Sequence, residues 1–344
     1  MIVRLFEENI KDAEAWDNYV HRSSETTTDH LWAWRRILRG AFGFKPYYLA
    51  AIDETDEVVG ILPLFRVQRN FGQCALSSIP FGNYGGVCAD SKEISDLLLR
   101  SAKELLFRIK GTYLELRHRS PVSDESLHEK NLYHRFRFPL NGDPQKHFRE
   151  IGRNNRAKIN KATQKGARVI ISRDVNKMYP VHAHTARRLG TPCFPRRYFE
   201  LVLESFPDSS EIFFVMIDGR PVAYDFMLIF KKSLVCQFKG GLESFFSYRP
   251  NHLLFWHAVE IGCGRGYKEF DYCRSRKDSG TAYFKRSLHM VEEPLNYQYF
   301  MTNGEPLPQR HPSNPKYQWA IRLWQRLPLT LTELMGPMLV RYLA

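Results

Sequence analysis

The strongest constraint on this chain is that it echoes itself. Residues 48–66, YLAAIDETDEVVGILPLFR, and residues 213–230, FFVMIDGRPVAYDFMLIF, share one pattern: an apolar run, an Ile-Asp turn, and a second apolar run whose core begins at Val. Apolar runs joined by Asp or Asp-Gly turn chemistry form β-hairpins. Asp53 and Asp218 lie 165 positions apart (218 − 53). A second echo follows. Ile94, Leu97, Leu98, Ala102, Leu105 and Leu106 mark a helix face ahead of Gly111 and TYLELR, and Leu253, Leu254, His257, Ala258 and Ile261 mark another ahead of Gly266 and YKEFDYC. Glycine between a helix and a strand is a C-cap signal. Glu115 and Asp271 lie 156 apart (271 − 115). Two features at similar offsets predict a duplicated domain, against the plainer reading of two hairpins alike by chance.

Each copy reads as helix, antiparallel hairpin, further strand, helix, strand, helix, strand. In the second copy the helices fall at Tyr198–Phe206, Asn251–Gly262 and Thr281–Leu288, and the strands near 212–217, 222–230, 233–239, 268–273 and 294–301. Antiparallel strands leading into a strand–helix–strand crossover give a mixed, mostly antiparallel α/β (α+β) sheet. At 344 residues the chain is long for one core and comfortable for two. The expected division is 1–143, 144–304 and an amphipathic helical tail, 305–344. Hydrophobic content of 43% with 14% aromatic residues excludes global disorder.

This order resembles the GCN5-related acetyltransferase (GNAT) fold, whose central strands splay apart around the acyl donor. The resemblance puts the gap between 233–239 and 268–273. Its donor-binding lips are Lys239, Gly240 and Gly241 on one side and Asp271, Arg274 and Ser275 on the other. Glycines at a strand end allow close backbone approach to a ligand, or mark a bulge. Asp271 is placed to orient an amine, to accept its proton, or to pair with Arg274.

The net charge of +13, with pI near 9.4, favours an anionic partner: nucleic acid, anionic lipid or a phosphorylated substrate. The charge is concentrated. From Lys146 to Lys177 ten Lys or Arg face only Glu150 and Asp174. Residues 144–166 read as one helix seated by Phe148, Ile151, Ile159 and Ala162, with Asn154, Lys158, Lys161 and Lys165 on another face. Arg153, Asn154, Arg156, Lys158 and Lys161 are the candidate anion-binding residues, against a solvated charged face. The opening MIVRLFEENIKDAEAWD lacks the apolar core of a signal peptide. No stretch approaches the roughly 20 apolar residues that span a bilayer. Cys74, Cys88, Cys193, Cys236, Cys263 and Cys273 are scattered and read as reduced thiols of a cytoplasmic protein. No metal site is expected, since His182 and His184 at i, i+2 diverge on a helix. In the tail, Trp319, Leu323, Trp324 and Leu327 make one stripe with Arg322 and Arg326 nearby, and Leu331, Leu334, Met335, Met338 and Leu339 make a second. Such segments pack on their own domain or lie on an anionic membrane.

The segments RNNRAKINKATQKG, ARRLGTPCFPRRYFE and FDYCRSRKDSGTAYFKRSL, with PFGNYGGV and NPKYQWAIRLWQRLPL, resemble the FemAB-like proteins of exosortase and exopolysaccharide loci, over nearly the whole chain. The resemblance implies two tandem GNAT-like domains and aminoacyl transfer from charged tRNA to an amine of a peptidoglycan precursor. By the same resemblance Lys285, in AYFKRSL, is the cationic residue of the transfer step, catalytic together with Asp271; its plain alternative is a surface lysine. Arg187, Arg188, Thr191 and Phe194 form a wall for the acceptor, and Trp34, Arg35 and Tyr84, with Gly85 and Gly86, match acceptor-cleft stretches. Two departures stand out. The pyrophosphate signature Q/R-x-x-G-x-G/A has no full match; Gln237 to Leu242 comes nearest and fails at its last position. The long charged coiled-coil insertion of some Fem enzymes is absent. The expectation is therefore an N-acyltransferase or aminoacyltransferase with no tightly bound cofactor. Acyl-CoA or aminoacyl-tRNA would be the co-substrate, and the acceptor an amine-bearing cell-envelope or exopolysaccharide precursor. The chain would act in the cytoplasm, at the inner face of the membrane if residues 316–344 touch it. The alternative is a non-enzymatic basic scaffold for anionic lipid or nucleic acid. The sequence does not set the oligomeric state.

Overall fold

The computed structural model describes residues 1–68, 73–302, 307 and 315–344; the remainder, including part of the expected tail, lies outside the described residues. In chain order the elements are β1 (Ile2–Phe6), α1 (Ile10–Arg22), α2 (Trp34–Phe42), β2 (Lys45–Ile52), β3 (Val58–Gln68), β4 (Cys74–Ser77), β5 (Cys88–Ala89), α3 (Lys92–Arg108) and β6 (Tyr113–Arg117). Then come β7 (His128–Pro139), α4 (Pro144–Glu150), α5 (Arg153–Gln164), β8 (Arg168–Ser172), α6 (Val175–Leu189), α7 (Arg196–Ser205), β9 (Ser210–Ile217), β10 (Arg220–Phe230) and β11 (Ser233–Gly241). The chain continues through α8 (Pro250–Gly264), β12 (Glu269–Arg276), α9 (Gly280–Ser287), β13 (Val291–Met301), α10 (Pro315–Arg326) and α11 (Leu329–Val340).

Two compact units result. The first contains Met1–Leu132, the strand residues from Pro294 on, and Arg341–Ala344. Its strands run β1-β2-β3-β4-β6-β13, with β5 beside β3. All neighbours are antiparallel except β4 and β6, which pair in parallel at only two positions, Leu76 with Leu114 and Ser77 with Glu115. Helix α3, capped by the Ser91 side chain accepting from the Ile94 N–H, buries Ile94, Leu98, Ala102 and Leu106 against Leu62, Leu64, Leu76 and Leu114.

The second unit contains Tyr133–Glu293 and the helices ending at Val340. Its strands run β7-β12-β11-β10-β9-β8. The expected hairpin is β9–β10. Asp218 and Gly219 at φ +49° and +74° form a two-residue turn whose left-handed backbone suits Asp-Gly, and Ile217 pairs with Arg220 across it. Helix α8 is buried over most of its surface, with only Glu260 and Gly264 exposed. Leu253, Leu254, Phe255, Ala258 and Val259 are in the core with Phe213, Val215, Leu234 and Phe270.

The units and the expected division at 143 and 304 differ in which strands they hold. The last part of β13 pairs with β6 in the first unit, although 294–301 reads as part of the second copy. From Tyr133 on, β7 pairs with β12 in the second unit, although it precedes residue 143. Alternation alone does not specify a strand's partner. The basic stretch is two helices rather than one. Gly152, at φ +83°, ends α4 and starts α5, a backbone conformation a helix interior does not contain.

Candidate active site

Strands β11 and β12 pair in parallel at three positions, Ser233 with Glu269, Leu234 with Phe270 and Val235 with Asp271, and then part. Beyond Asp271, β12 bulges. Its register against β7 jumps between Asp271 and Arg274, and Cys273 sits at φ +55°. Asp271 fixes this bulge. Its Oδ1 accepts from the Cys273 N–H at 2.7 Å and its Oδ2 from Arg135 Nε at 2.8 Å. Arg135 also reaches Glu269 at 2.7 Å and Glu293 at 3.2 Å. Burial pushes the Asp271 carboxyl up while Arg135 opposes the rise. The partner the structure gives Asp271 is Arg135, a residue sequence reasoning did not select.

The bulged carbonyls point at Lys285. Its Nζ donates to Tyr272 O at 2.5 Å, Cys273 O at 3.0 Å and Arg274 O at 3.3 Å, and lies over the rings of Phe136 and Tyr272. Lys285 is 1% exposed, so it is not the surface lysine of the plainer reading. Burial, aided by repulsion from Lys239, pushes its pKa down to about 7. Beside it lies a carboxylate the sequence reading passed over. Asp225 on β10 stands opposite Lys239 on β11, and its Oδ2 accepts from the Tyr272 hydroxyl at 3.2 Å. Its Oδ1 is buried without a hydrogen-bonding partner among the described residues. Burial pushes Asp225 up to about 6, against the pull of Lys239, Tyr272 and Lys285. The Lys239 ammonium rests 4.0 Å from the Tyr272 ring centroid and 5.8 Å from that of Phe284. The parting strands thus hold an acid and an amine whose pKa values both fall near neutrality, the range for proton transfer at physiological pH. The one sequence signal for Asp225 is an acid inside the apolar run AYDFMLIF.

The other expected lip residues do different work. A Cβ at Gly240 would lie 2.6 Å from Tyr224 Cε1 and 2.8 Å from Thr185 Oγ1, and the Gly241 N–H donates to Thr185 Oγ1 at 3.0 Å. These glycines seat α6 on the sheet; they are not the bulge, which falls between Phe226 and Met227 of the β10–β11 register. Ser275 is buried opposite His134 of β7, and Arg274 covers the Tyr133 ring.

The acceptor wall expected at 187–194 is an anchor for the tail. Arg187 donates to Leu327 O, the Thr191 carbonyl accepts from Trp324 Nε1, and Arg188 stacks on Phe246. Phe194 lies among Phe238, Tyr198 and His182, and its N–H donates to His182 Nε2 at 3.2 Å. His182 is then the Nδ1–H tautomer donating to the Tyr224 hydroxyl at 2.9 Å, with burial pushing its pKa down to about 3. Along the basic stretch Arg156 donates to the closing carbonyls of α4, while Arg153, Asn154 and Lys161 are exposed. Lys158 comes near His252 on α8, whose pKa burial, Lys158 and Arg249 push down to about 4. In the first unit, Trp34 is core and donates to Thr28 O at 2.7 Å; Arg35 is buried over the Trp32 and Tyr48 rings. Tyr84 lines a cavity of about 370 Å³ with His30, His118 and Arg119. Among the described residues no group of three His, Cys, Asp or Glu is arranged to hold a metal ion.

Residues 149–286 match the family model described as an acetyltransferase (GNAT) domain. No curated protein matches the chain in sequence. Its fold is similar to that of FemX, at TM-score 0.67 and 14% identity over 93% of this chain and 100% of the other. It is also similar to the C-terminal domain of an Agrobacterium fabrum protein described as a lysylphosphatidylglycerol synthetase, at TM-score 0.57 and 14% identity over 86% and 92%. A tandem GNAT protein from the clavulanic acid biosynthesis pathway aligns at TM-score 0.55 and 10% identity over 89% and 99%. The chain is an acyltransferase whose fold is of the tandem GNAT, Fem-like kind.

Proposed function

We propose that the chain moves an acyl or aminoacyl group from acyl-CoA or aminoacyl-tRNA to an amine of a cell-envelope or exopolysaccharide precursor, at the parting of β11 and β12. The observation that carries this is the set of buried Asp225, Tyr272 and Lys285 with half-buried Lys239 at the point where the strands separate. The amine nitrogen attacks the ester or thioester carbonyl and its surplus proton passes to the Asp225 carboxylate. The tetrahedral oxyanion develops beside the Lys239 ammonium. As it collapses, the C–O or C–S bond breaks and the departing oxygen or sulfur takes a proton from solvent. No covalent enzyme intermediate is needed. Lys285 and Asp271 act by holding the bulge of β12 and so the shape of the opening.

FemX and the lysylphosphatidylglycerol synthetase support an envelope acceptor and leave the donor open between a thioester and a charged tRNA. The exposed Arg153, Asn154 and Lys161, with Lys158 near the start of α8, would meet the phosphates of either donor. A lipid-linked acceptor would place the chain at the inner face of a membrane. The test supplies purified protein with acyl-CoA or aminoacyl-tRNA and amine-bearing envelope precursors and reads amide product by mass spectrometry. Consumption of one donor, lost in Asp225→Asn, is expected. Salt-sensitive binding through Arg153, Arg156, Lys158 and Lys161 with neither donor consumed would instead favour the scaffold.

A further inference from the structure

Helix α11 is turned inside out. Its buried positions are Thr332, Gly336 and Val340, one turn apart in succession. Gly336 lies so close to Cys193 that a Cβ there would be 2.6 Å from its sulfur, and Cys193 Sγ donates to Thr332 O at 3.5 Å. The large apolar side chains Leu331, Leu334, Met335, Met338 and Leu339 occupy the other stripe and are between 39% and 71% exposed. An amphipathic helix on a soluble protein does the reverse.

Helix α10 is seated on the same few residues. Ile321 fills the space beside Gly190, Trp324 Nε1 donates to Thr191 O at 3.1 Å, and Gln325 Nε2 donates to Arg188 O at 2.7 Å. Its outward stripe is Trp319, Arg322, Leu323 and Arg326, all exposed. Both helices rest on residues 188–193 and both turn large apolar side chains outward, the kind of exposed apolar surface that soluble chains keep for partners.

The charges on this surface choose the partner. Glu333 is the sole acid in 315–344, and it is half-buried. A two-fold pairing of two copies would set the Arg322 and Arg326 stripe against its own image with little to answer it. Leucine, methionine and tryptophan beside arginines suit a bilayer that carries negative headgroups. Neither helix is long and apolar enough to cross it. We infer that α10 and α11 lie flat on an anionic lipid surface, with Leu334, Met335 and Met338 at the acyl boundary and Arg322 and Arg326 on headgroup phosphates.

The inference is independent of the donor and acceptor, and its test needs neither. The full chain is sedimented with phosphatidylcholine vesicles, with and without 30 mol% phosphatidylglycerol, in low and high salt. Binding to the anionic vesicles is expected, weakened by salt and reduced at least about tenfold in Leu334→Glu/Met338→Glu. The double variant changes only exposed positions, and its circular dichroism and melting should match the parent. Arg322→Glu/Arg326→Glu should remove the preference for phosphatidylglycerol while leaving the apolar stripe intact. Failure of the parent to bind anionic vesicles overturns the inference, as does binding indifferent to both variants. A dimer that Leu334→Glu/Met338→Glu converts to monomer, with no vesicle binding, would also overturn it and assign the surface to a second copy.

Discussion

Replacing Asp225 by asparagine should stabilise the protein and stop its reaction. In the folded chain Asp225 titrates near 6 instead of 3.8, chiefly because it is buried. At 1.36 kcal/mol per pH unit, holding it ionised at neutral pH costs about 3 kcal/mol relative to the unfolded chain. The sign follows from the raised pKa: between about 4 and 6 the folded state holds a proton the unfolded state has released, so stability falls as pH rises through that window. Asparagine removes the charge and keeps an acceptor for the Tyr272 hydroxyl. It also puts an amide group where Oδ1 now lacks a partner, at a cost of about 1–2 kcal/mol. The balance is a gain of about 1–2 kcal/mol at pH 7, each kcal/mol worth about 2–4 °C in melting temperature. The gain should shrink and turn into a loss of about 1–2 kcal/mol as pH falls to 4 and below, where the native carboxyl is already neutral and only the cost of the amide remains. Amide formation should drop by about 10²-fold or more at every pH, because the proton acceptor is gone. Melting followed by circular dichroism from pH 4 to 8, beside a turnover assay, reads both quantities. A variant destabilised at pH 7, or one as active as the parent, refutes the reasoning: Asp225 would then be a structural ion-pair partner of Lys239 and the proton would go elsewhere.

Lys285→Met leaves the carbonyls of Tyr272, Cys273 and Arg274 without their N–H donor, and we expect a loss of about 2–4 kcal/mol at pH 9, where the amine is neutral, together with loss of transfer. In the parent, the depressed pKa makes stability rise from about pH 7 to 10.5 by up to about 1.4 kcal/mol per unit; in urea titrations the variant should lack that slope, and an unchanged slope would discount a buried lysine. Gly240→Ala should cost about 1–3 kcal/mol, because Tyr224 and Thr185 must retreat from the new methyl; a neutral result would return Gly240 to the candidates for ligand approach. Glu115→Gln removes the carboxylate that faces Arg117 Nε and Nη2 and should destabilise by about 3 kcal/mol, the opposite sign to Asp225→Asn.

Much of this fold was legible because its signals were local. The Ile-Asp-Gly turn marks the β9–β10 hairpin, and the apolar residues of α8 mark a helix set in the core. The parting of β11 and β12 was expected from the resemblance, and it falls where the two strands were drawn. What escaped depends on partners distant in sequence. Nothing in HRFRFP says that it pairs with EFDYCRSR, and Arg135, which gathers Asp271, Glu269 and Glu293, is invisible without that pairing. The break at Gly152 was hidden because Ile151 and Ile159 continue one apolar stripe across it. Lys285 could be picked out by likeness but not by direction, since a lysine on a short helix is ordinarily solvated. Arg187 and Thr191 looked like a cleft wall because the sequence does not show that α10 rests on them.

The duplication separates charges that shape the fold from charges available for chemistry. In each unit the parallel pair ends on an acid, Glu115 opposite Ser77 in one and Asp271 opposite Val235 in the other. Both acids are fully engaged. Glu115 accepts from Ser77, Arg117 and Tyr299, and Asp271 accepts from Arg135 and the Cys273 N–H. A feature present at both partings is explained by what the partings share: two strands that stop pairing and need their loose ends tied. The remaining groups occur at only one of them. Strand β3 is apolar from Val58 to Phe65, where β10 carries Asp225, and no α-helix between β6 and β7 places a lysine under the bulge as α9 does. The family model covers the unit that carries them and stops at Arg286, one residue past Lys285. A buried carboxylate with an unpartnered oxygen lowers stability even though its other oxygen holds the Tyr272 hydroxyl, so its presence at one parting alone favours the proposed proton acceptor over a purely structural role.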